Sequence, residues 1–330
     1  MKTITLLAAL LLCAAPTLLF AQSDPNDTAR ILAGLPVSPG SPLAPLMHEG
    51  AWQQHAKFFE GAWSKLDQRQ ISRIHEWSRG NLHARTGNVF YMFSGPDFLY
   101  AEAFFPSASN YVLCGIEPAG SMPDLGRIQL APALANIEGS LKSVLNYSFF
   151  QTKEMRQDFG RGQLNGTLPI LYVFLARSGK TIRSVEFVQP HGVRIDFNGG
   201  TLYYFSVDLS NGSVEKSGLL SFCQKLGRGD SLLKSASYLP HQNNFSAIRS
   251  FLLEQSDTIV QDDTGIPVRD FDPGKWNVRL YGDYLGPIDI FKQFYQPALK
   301  GMPSAGALPF GIGYRGWDPR KSALIVATQR

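Results

Sequence analysis

The densest concentration of reactive side chains lies between Tyr238 and Asp272. His241, Gln242, Asn243 and Asn244 are followed by Asp257, Asp262, Asp263, Asp270 and Asp272, five Asp against a single Arg, Arg269, between residues 257 and 272. Gln261-Asp262-Asp263-Thr264-Gly265 comes just after a predicted strand, and strand ends leading into glycine turns commonly carry site residues. Adjacent carboxylates can hold a hard cation such as Ca²⁺, which makes Asp262, Asp263 and Asp270 the candidate metal ligands. A carboxylate pair whose pKa values are split can also do acid–base work, with His241 as a base. The candidate catalytic set is therefore His241, Asp262 and Asp263. A plainer reading competes with both. Asp-Asp-Thr-Gly is ordinary turn composition, with Asp side chains bonding backbone amides. Its charge can also pair with residues 273–330, where eight Lys/Arg face three Asp. The spacing makes no EF-hand loop, and no cofactor is expected apart from a Ca²⁺ that these carboxylates could hold.

Other sets weigh less. Ser94, Asp97 and Glu102 surround what reads as a hairpin, where turn roles are expected. Tyr281, Tyr284, Phe294, Tyr295, Tyr314 and Trp317 make the C-terminal third aromatic. Such rings can stack on sugars, but core and rim packing is the simpler expectation. Gly179-Lys180-Thr181 resembles the end of a phosphate loop, yet the required upstream glycine is Phe174. Gly311-Ile312-Gly313-Tyr314-Arg315-Gly316 matches the dinucleotide glycine pattern, but Trp317-Asp318-Pro319 stands where a helix should begin. It reads as a glycine-rich loop. No Gly-x-Ser-x-Gly elbow occurs, and neither His48-Glu49 nor His75-Glu76 has a second His at metalloprotease spacing.

Composition places these residues in a globular chain. Of 330 residues, 44% are apolar and 18% charged, and the net charge of +4 is too small and dispersed to imply nucleic acid. Met1-Lys2-Thr3, the apolar run from Ile4 to Phe20 and Ala21 follow the order of a secretory signal. The working chain is expected outside the cytoplasm, secreted or periplasmic, with residues 1–21 removed. No later run is long enough to span a bilayer, so no integral membrane segment is expected in the mature chain. Loss of Cys13 with the leader leaves Cys114 and Cys223, as one disulfide or as two buried thiols.

The elements that must position the candidates follow from patterning. Residues 22–50 read as a Pro/Gly-rich extended arm. Trp52, Ala56, Phe59, Trp63, Leu66, Gln70, Ile74 and Trp77 fall on one helical stripe. Strands are predicted over 89–93, 98–105 and 111–117, then a broken helix over 125–159 and a buried core element over 168–176. A second meander covers 184–188, 193–197 and 201–207, with Asn198-Gly199-Gly200 as a hairpin signal. Helices are predicted over 219–226, over 245–255 with Asn244 as cap, and between Pro287 and Pro297. Further strands are predicted over 258–261, 278–281 and 323–328. This pattern favours an α+β fold of antiparallel meanders packed with helices, one composite domain over 51–330 with a subdivision conceivable near 160–183; an α/β layered fold is the alternative. The function expected is that of an exported, soluble binding or accessory protein, with a protein or glycan partner left open. The alternative is an extracytoplasmic hydrolase built on Asp262, Asp263 and His241. A third reading is an assembly partner docking through the arm and first helix.

Overall fold

The computed structural model describes residues 24–82, 87–147, 164–189 and 191–330. The predicted leader with Cys13, and the predicted helix beyond residue 147, lie outside the described residues. A nine-stranded mixed sheet organises the chain in the order β3-β4-β5-β2-β1-β6-β7-β9-β8. The strands are β1 Asn88–Tyr91, β2 Asn110–Gly115, β3 Ile182–Val188, β4 Gly192–Phe197, β5 Gly200–Ser206, β6 Gly229–Leu233, β7 Ser256–Gln261, β8 Trp276–Gly282 and β9 Ala323–Gln329. The five central strands, β5-β2-β1-β6-β7, run parallel, and antiparallel pairs flank them on both sides. This is the α+β class expected, as a single domain, but with a parallel centre that two separate meanders would not produce.

Both faces of the sheet are covered. Val89, Tyr91, Leu113 and Tyr204 point into a core built with α1 Pro25–Leu32, α2 Gly50–Leu66, α3 Ser72–Asn81, α4 Phe98–Phe104, α5 Leu130–Tyr147 and α6 Leu168–Arg177. Phe90, Val112, Phe205 and Leu233 point the other way, onto α7 Asn211–Ser217, α8 Leu219–Leu226 and α9 Ser246–Gln255. Alternate residues of each central strand serve opposite cores, as the period of 2 requires. With both faces buried, Val89-Phe90-Tyr91 of β1 and Tyr111-Val112-Leu113-Cys114 of β2 read as continuous apolar runs.

The predicted Trp stripe holds. Trp52, Phe59, Leu66, Gln70, Ile74 and Trp77 are buried, and a π turn at Asp67–Ile71 joins α2 to α3. Cys114 and Cys223 are both free and buried, and burial pushes the Cys223 thiol up to about 12.

Three expectations are corrected. Residues 25–32 are helical rather than part of an extended arm, with Thr28, Ala29, Ile31 and Leu32 in the core. The Asp24 carboxylate caps this helix and Pro25 opens it, a local start signal that outweighs the Pro/Gly-rich average of the segment. Phe98–Phe104 is a helix, not the second arm of a hairpin: Asp97 Oδ1 accepts from Tyr100 N, and every residue of α4 is buried, so no period marks it. Between Pro287 and Pro297 the chain makes only a 3-10 turn, Asp289–Phe294, and Pro297 begins the last helix, α10 Pro297–Lys300, instead of ending one. The start of α9 also differs in its cap, since Asn211 Oδ1, reaching across from α7, accepts from Ala247 N.

Candidate functional site

The order of the strands creates a crevice. From β1 the chain passes through α4 to β2 on one side; from β6 it passes through α9 to β7 on the other. Helices α4 and α9 lie on opposite faces of the sheet. The loops leaving the neighbouring strands β1 and β6 therefore diverge, and open sheets of this kind bind ligands outside the carboxyl ends of strands at such a switch point. A cavity of about 690 Å³ opens there, lined from the ends of β1, β2, β5 and β6.

Its floor is charged. Lys234, the residue after β6, places Nζ 3.1 Å from Asp97 Oδ2, with the two side chains 1% and 3% exposed. Tyr91 donates its hydroxyl to the same Oδ2 at 2.9 Å. The Lys234 ammonium also sits 3.8 Å from the centroid of the Tyr100 ring, a cation–π contact. Tyr100 in turn donates to Gln70 Oε1, and Gln70 Nε2 donates to the Gly311 carbonyl. The one polar member of the predicted Trp stripe thus links the floor to the glycine loop. Burial and the facing Asp97 carboxylate hold the Tyr91 phenol well above its ordinary range.

Backbone strain marks both loops. Phe93, two residues past β1, has φ 62°, and Ser235, two residues past β6, has φ 51°. Non-glycine residues held in the left-handed region cost roughly 1–3 kcal/mol each and concentrate at ligand sites. Both line the cavity. Ser235 Oγ is buried and meets no hydrogen-bond partner. Ser94 and Ser237, by contrast, are engaged: Ser94 Oγ with the Gly95 carbonyl and with Cys114 N and carbonyl, Ser237 Oγ with Tyr314 OH at 2.6 Å.

The residues singled out in the sequence sit beside this cavity rather than in it. Asp262 is 2% exposed, and its carboxylate accepts from Ser235 N at 2.8 Å, from Thr264 N at 3.0 Å and from the Thr264 hydroxyl. It works as a clasp that fixes the strained Ser235 turn, and burial raises its pKa. Asp263 points away, accepting from Tyr238 OH; burial and the Asp262 charge push it up to about 6. His241 packs its ring against Tyr238 and Phe294 at 5.1 and 5.5 Å, and its Nε2 meets no partner. Burial, then Arg269, lowers it to about 4. Asp270 is paired with Arg249 at 3.1 Å. Asp262 and Asp263, neighbours in the chain, bond different partners, Asp270 is held apart by its arginine, and among the described residues no group of three His, Cys, Asp or Glu is arranged to hold a metal. Of the turn set, Asp97 is part of the cavity floor, whereas Glu102 bonds His75 at 3.1 Å and Lys180 at 2.9 Å elsewhere.

The glycine loop completes the support. Gly313 has φ 72°, and a Cβ there would stand 2.6 Å from Asp262 Oδ2. Gly313→Ala is expected to cost about 1–3 kcal/mol in urea unfolding, from the left-handed backbone and the crowded carboxylate. A variant as stable as wild type would remove the loop from the support of the Ser235 turn.

Sequence reasoning missed Lys234, Ser235, Tyr91 and Phe93. The signal available for the first two was Leu232-Leu233-Lys234-Ser235-Ala236-Ser237, an apolar pair that ends in a lone cation and small polar residues. Compared with protein-family models, curated proteins and solved structures, the chain matches none.

Proposed function

We propose that this chain binds a small organic molecule in the cavity at the carboxyl ends of β1, β2, β5 and β6, and that it does so as an exported, extracytoplasmic protein. The observation that carries the binding reading is the coincidence, at one switch point, of a cavity of about 690 Å³ with two strained loops and a buried Asp97–Lys234 pair. That volume is within the usual range for ligand sites, roughly 300–1,000 Å³. The walls are mostly apolar, from Phe93, Val207, Leu209, Leu239 and Phe245, with a few convergent polar groups at the floor, the usual division between affinity and orientation. The export reading rests on the apolar leader before Ala21. Among the described residues no helix is long and apolar enough to cross a membrane.

The test uses Nile red, a neutral dye whose emission shifts to the blue in apolar surroundings. Wild-type protein is expected to bind it and shift its emission. Ile116 lines the cavity and is 43% exposed, so Ile116→Trp can obstruct the mouth without disturbing the core. That variant should lose most of the signal at an unchanged melting temperature. Equal binding by both proteins would show that the dye sits elsewhere and would end the proposal.

A further inference from the structure

A second cavity, of about 520 Å³, lies at the other end of the strands, where β7 begins and β9 finishes. Its floor is one face of the last three strands of the sheet. Thr258 of β7, Thr328 of β9 and Asn277 of β8 stand side by side in one row. Arg279, two residues along β8 from Asn277, shares their face. Gln329 and Arg330 complete that side, and the C-terminal end of α3, at Gly80 and Asn81, forms the facing wall.

The charged side chains of this lining are Arg279 and Arg330, and no Asp or Glu borders the cavity. Among the described residues neither guanidinium has a hydrogen bond or an ion pair. With the α-carboxylate of Arg330 counted against them, the lining keeps a net positive charge. Asp230, beside Thr258 on β6, is fully buried, has an interaction of its own and does not border the cavity. The negative end of the α3 dipole is tempered, because Arg79 Nε takes the His75 carbonyl, Asn81 Nδ2 that of Trp77 and Leu82 N that of Ser78. Neutral groups are uncommitted as well. Thr258 is 3% exposed, yet its hydroxyl meets no hydrogen-bond partner among the described residues. The same holds for the side chains of Asn277, Thr328 and Gln329.

We propose that this cavity is a second binding site, for an oxyanion carried on a polyol, either a sugar acid or a sugar phosphate. A guanidinium offers parallel N–H donors that match a carboxylate or a phosphate. The hydroxyls and amides beside Arg279 donate and accept, as the hydroxyls of a polyol do. Such a ligand also satisfies Thr258, whose hydroxyl has left water without gaining a partner.

Titration calorimetry on the full chain at low salt tests this with glucuronate, glucose 6-phosphate and glucose. Both anions are expected to bind at least about tenfold tighter than glucose and to weaken as salt is added. The tighter of the two anions identifies the head as carboxylate or phosphate. Glucose binding as tightly as the anions would overturn the charge selection, and binding by none of the three would overturn the site. Arg279→Gln, at an exposed position, should weaken both anions about tenfold, leaving glucose binding and the melting temperature unchanged. Undiminished anion affinity in that variant would place the anion elsewhere and end the proposal. Thr258→Val keeps the branched shape but removes the hydroxyl, so it should weaken all three probes. Unchanged binding by this variant would remove the polyol from the ligand's description.

Discussion

Lys234→Met is expected to destabilise the fold by about 3–5 kcal/mol in urea unfolding at neutral pH. The reason is the neighbour it leaves behind. Asp97 is 2% exposed, and its Oδ2 receives Lys234 at 3.1 Å and Tyr91 at 2.9 Å. Without the ammonium, a carboxylate remains in the protein interior with only neutral donors. Removing one member of a buried pair costs far more than the pair itself contributes, because desolvation of the survivor is no longer offset. The double variant Asp97→Asn/Lys234→Met should therefore recover most of the loss. Asparagine can still accept from Tyr91 and Tyr100, and methionine keeps an unbranched stem against the Tyr100 ring. Strict additivity of the two single changes would refute the pairing. The pair joins the loop after β1 to the end of β6, the two sides of the crevice.

What could be read in advance depended on whether a segment has one buried face or two. The meander β3-β4-β5 was legible because its second turn is marked by Asn198-Gly199-Gly200 and its middle strand alternates, from Val193 to Phe197, between buried and half-buried residues. The α2–α3 stripe was legible because one face of it is wet. Phe98–Phe104 was not, since all of its residues are buried and the helical period disappears with the contrast that would show it. β6 was missed for the opposite reason. Asp230 and Ser231 are polar yet fully buried, so only Leu232 and Leu233 signal a strand. Without β6 the switch point has no second side, and Lys234 looks like a surface residue. The candidate site suffered accordingly. The sequence directed attention to the Asp262–Asp263 turn, which lies one strand away and fixes Ser235 from behind. Asp97 was noticed, but as part of a hairpin, because its partner is 137 positions away and nothing local announces the contact.

The Asp263–His241 region makes a second strong prediction, about pH. Asp263 is raised to about 6 from an ordinary 3.8, chiefly by burial and then by Asp262, with Tyr238 and Arg315 opposing. The fold thus favours its protonated form: the stabilisation is full below pH 3.8 and is lost as pH rises through 6. Asp262 is shifted in the same direction. His241 is lowered to about 4 from 6.5 by burial, Arg269 and Arg249. The fold favours its neutral form: the stabilisation is present above pH 6.5 and is lost as pH falls toward 4. Between pH 4 and 6 the two groups therefore pull stability in opposite directions, each by no more than about 3 kcal/mol given their partial exposure. With Asp262 adding to the Asp263 side, the wild-type slope across that window should lie between those of the two single replacements, which separate the contributions. His241→Phe keeps a ring against Tyr238 and Phe294 and leaves the carboxylates, so its stability should fall as pH rises from 4 to 6. Asp263→Asn keeps an acceptor for Tyr238 OH and leaves the histidine with Asp262, so its stability should rise relative to wild type over the same interval. Chemical denaturation at half-unit steps of pH reads both. If the two variants run parallel to wild type, neither residue titrates in this window, and the strained turn behind the cavity is insensitive to acid.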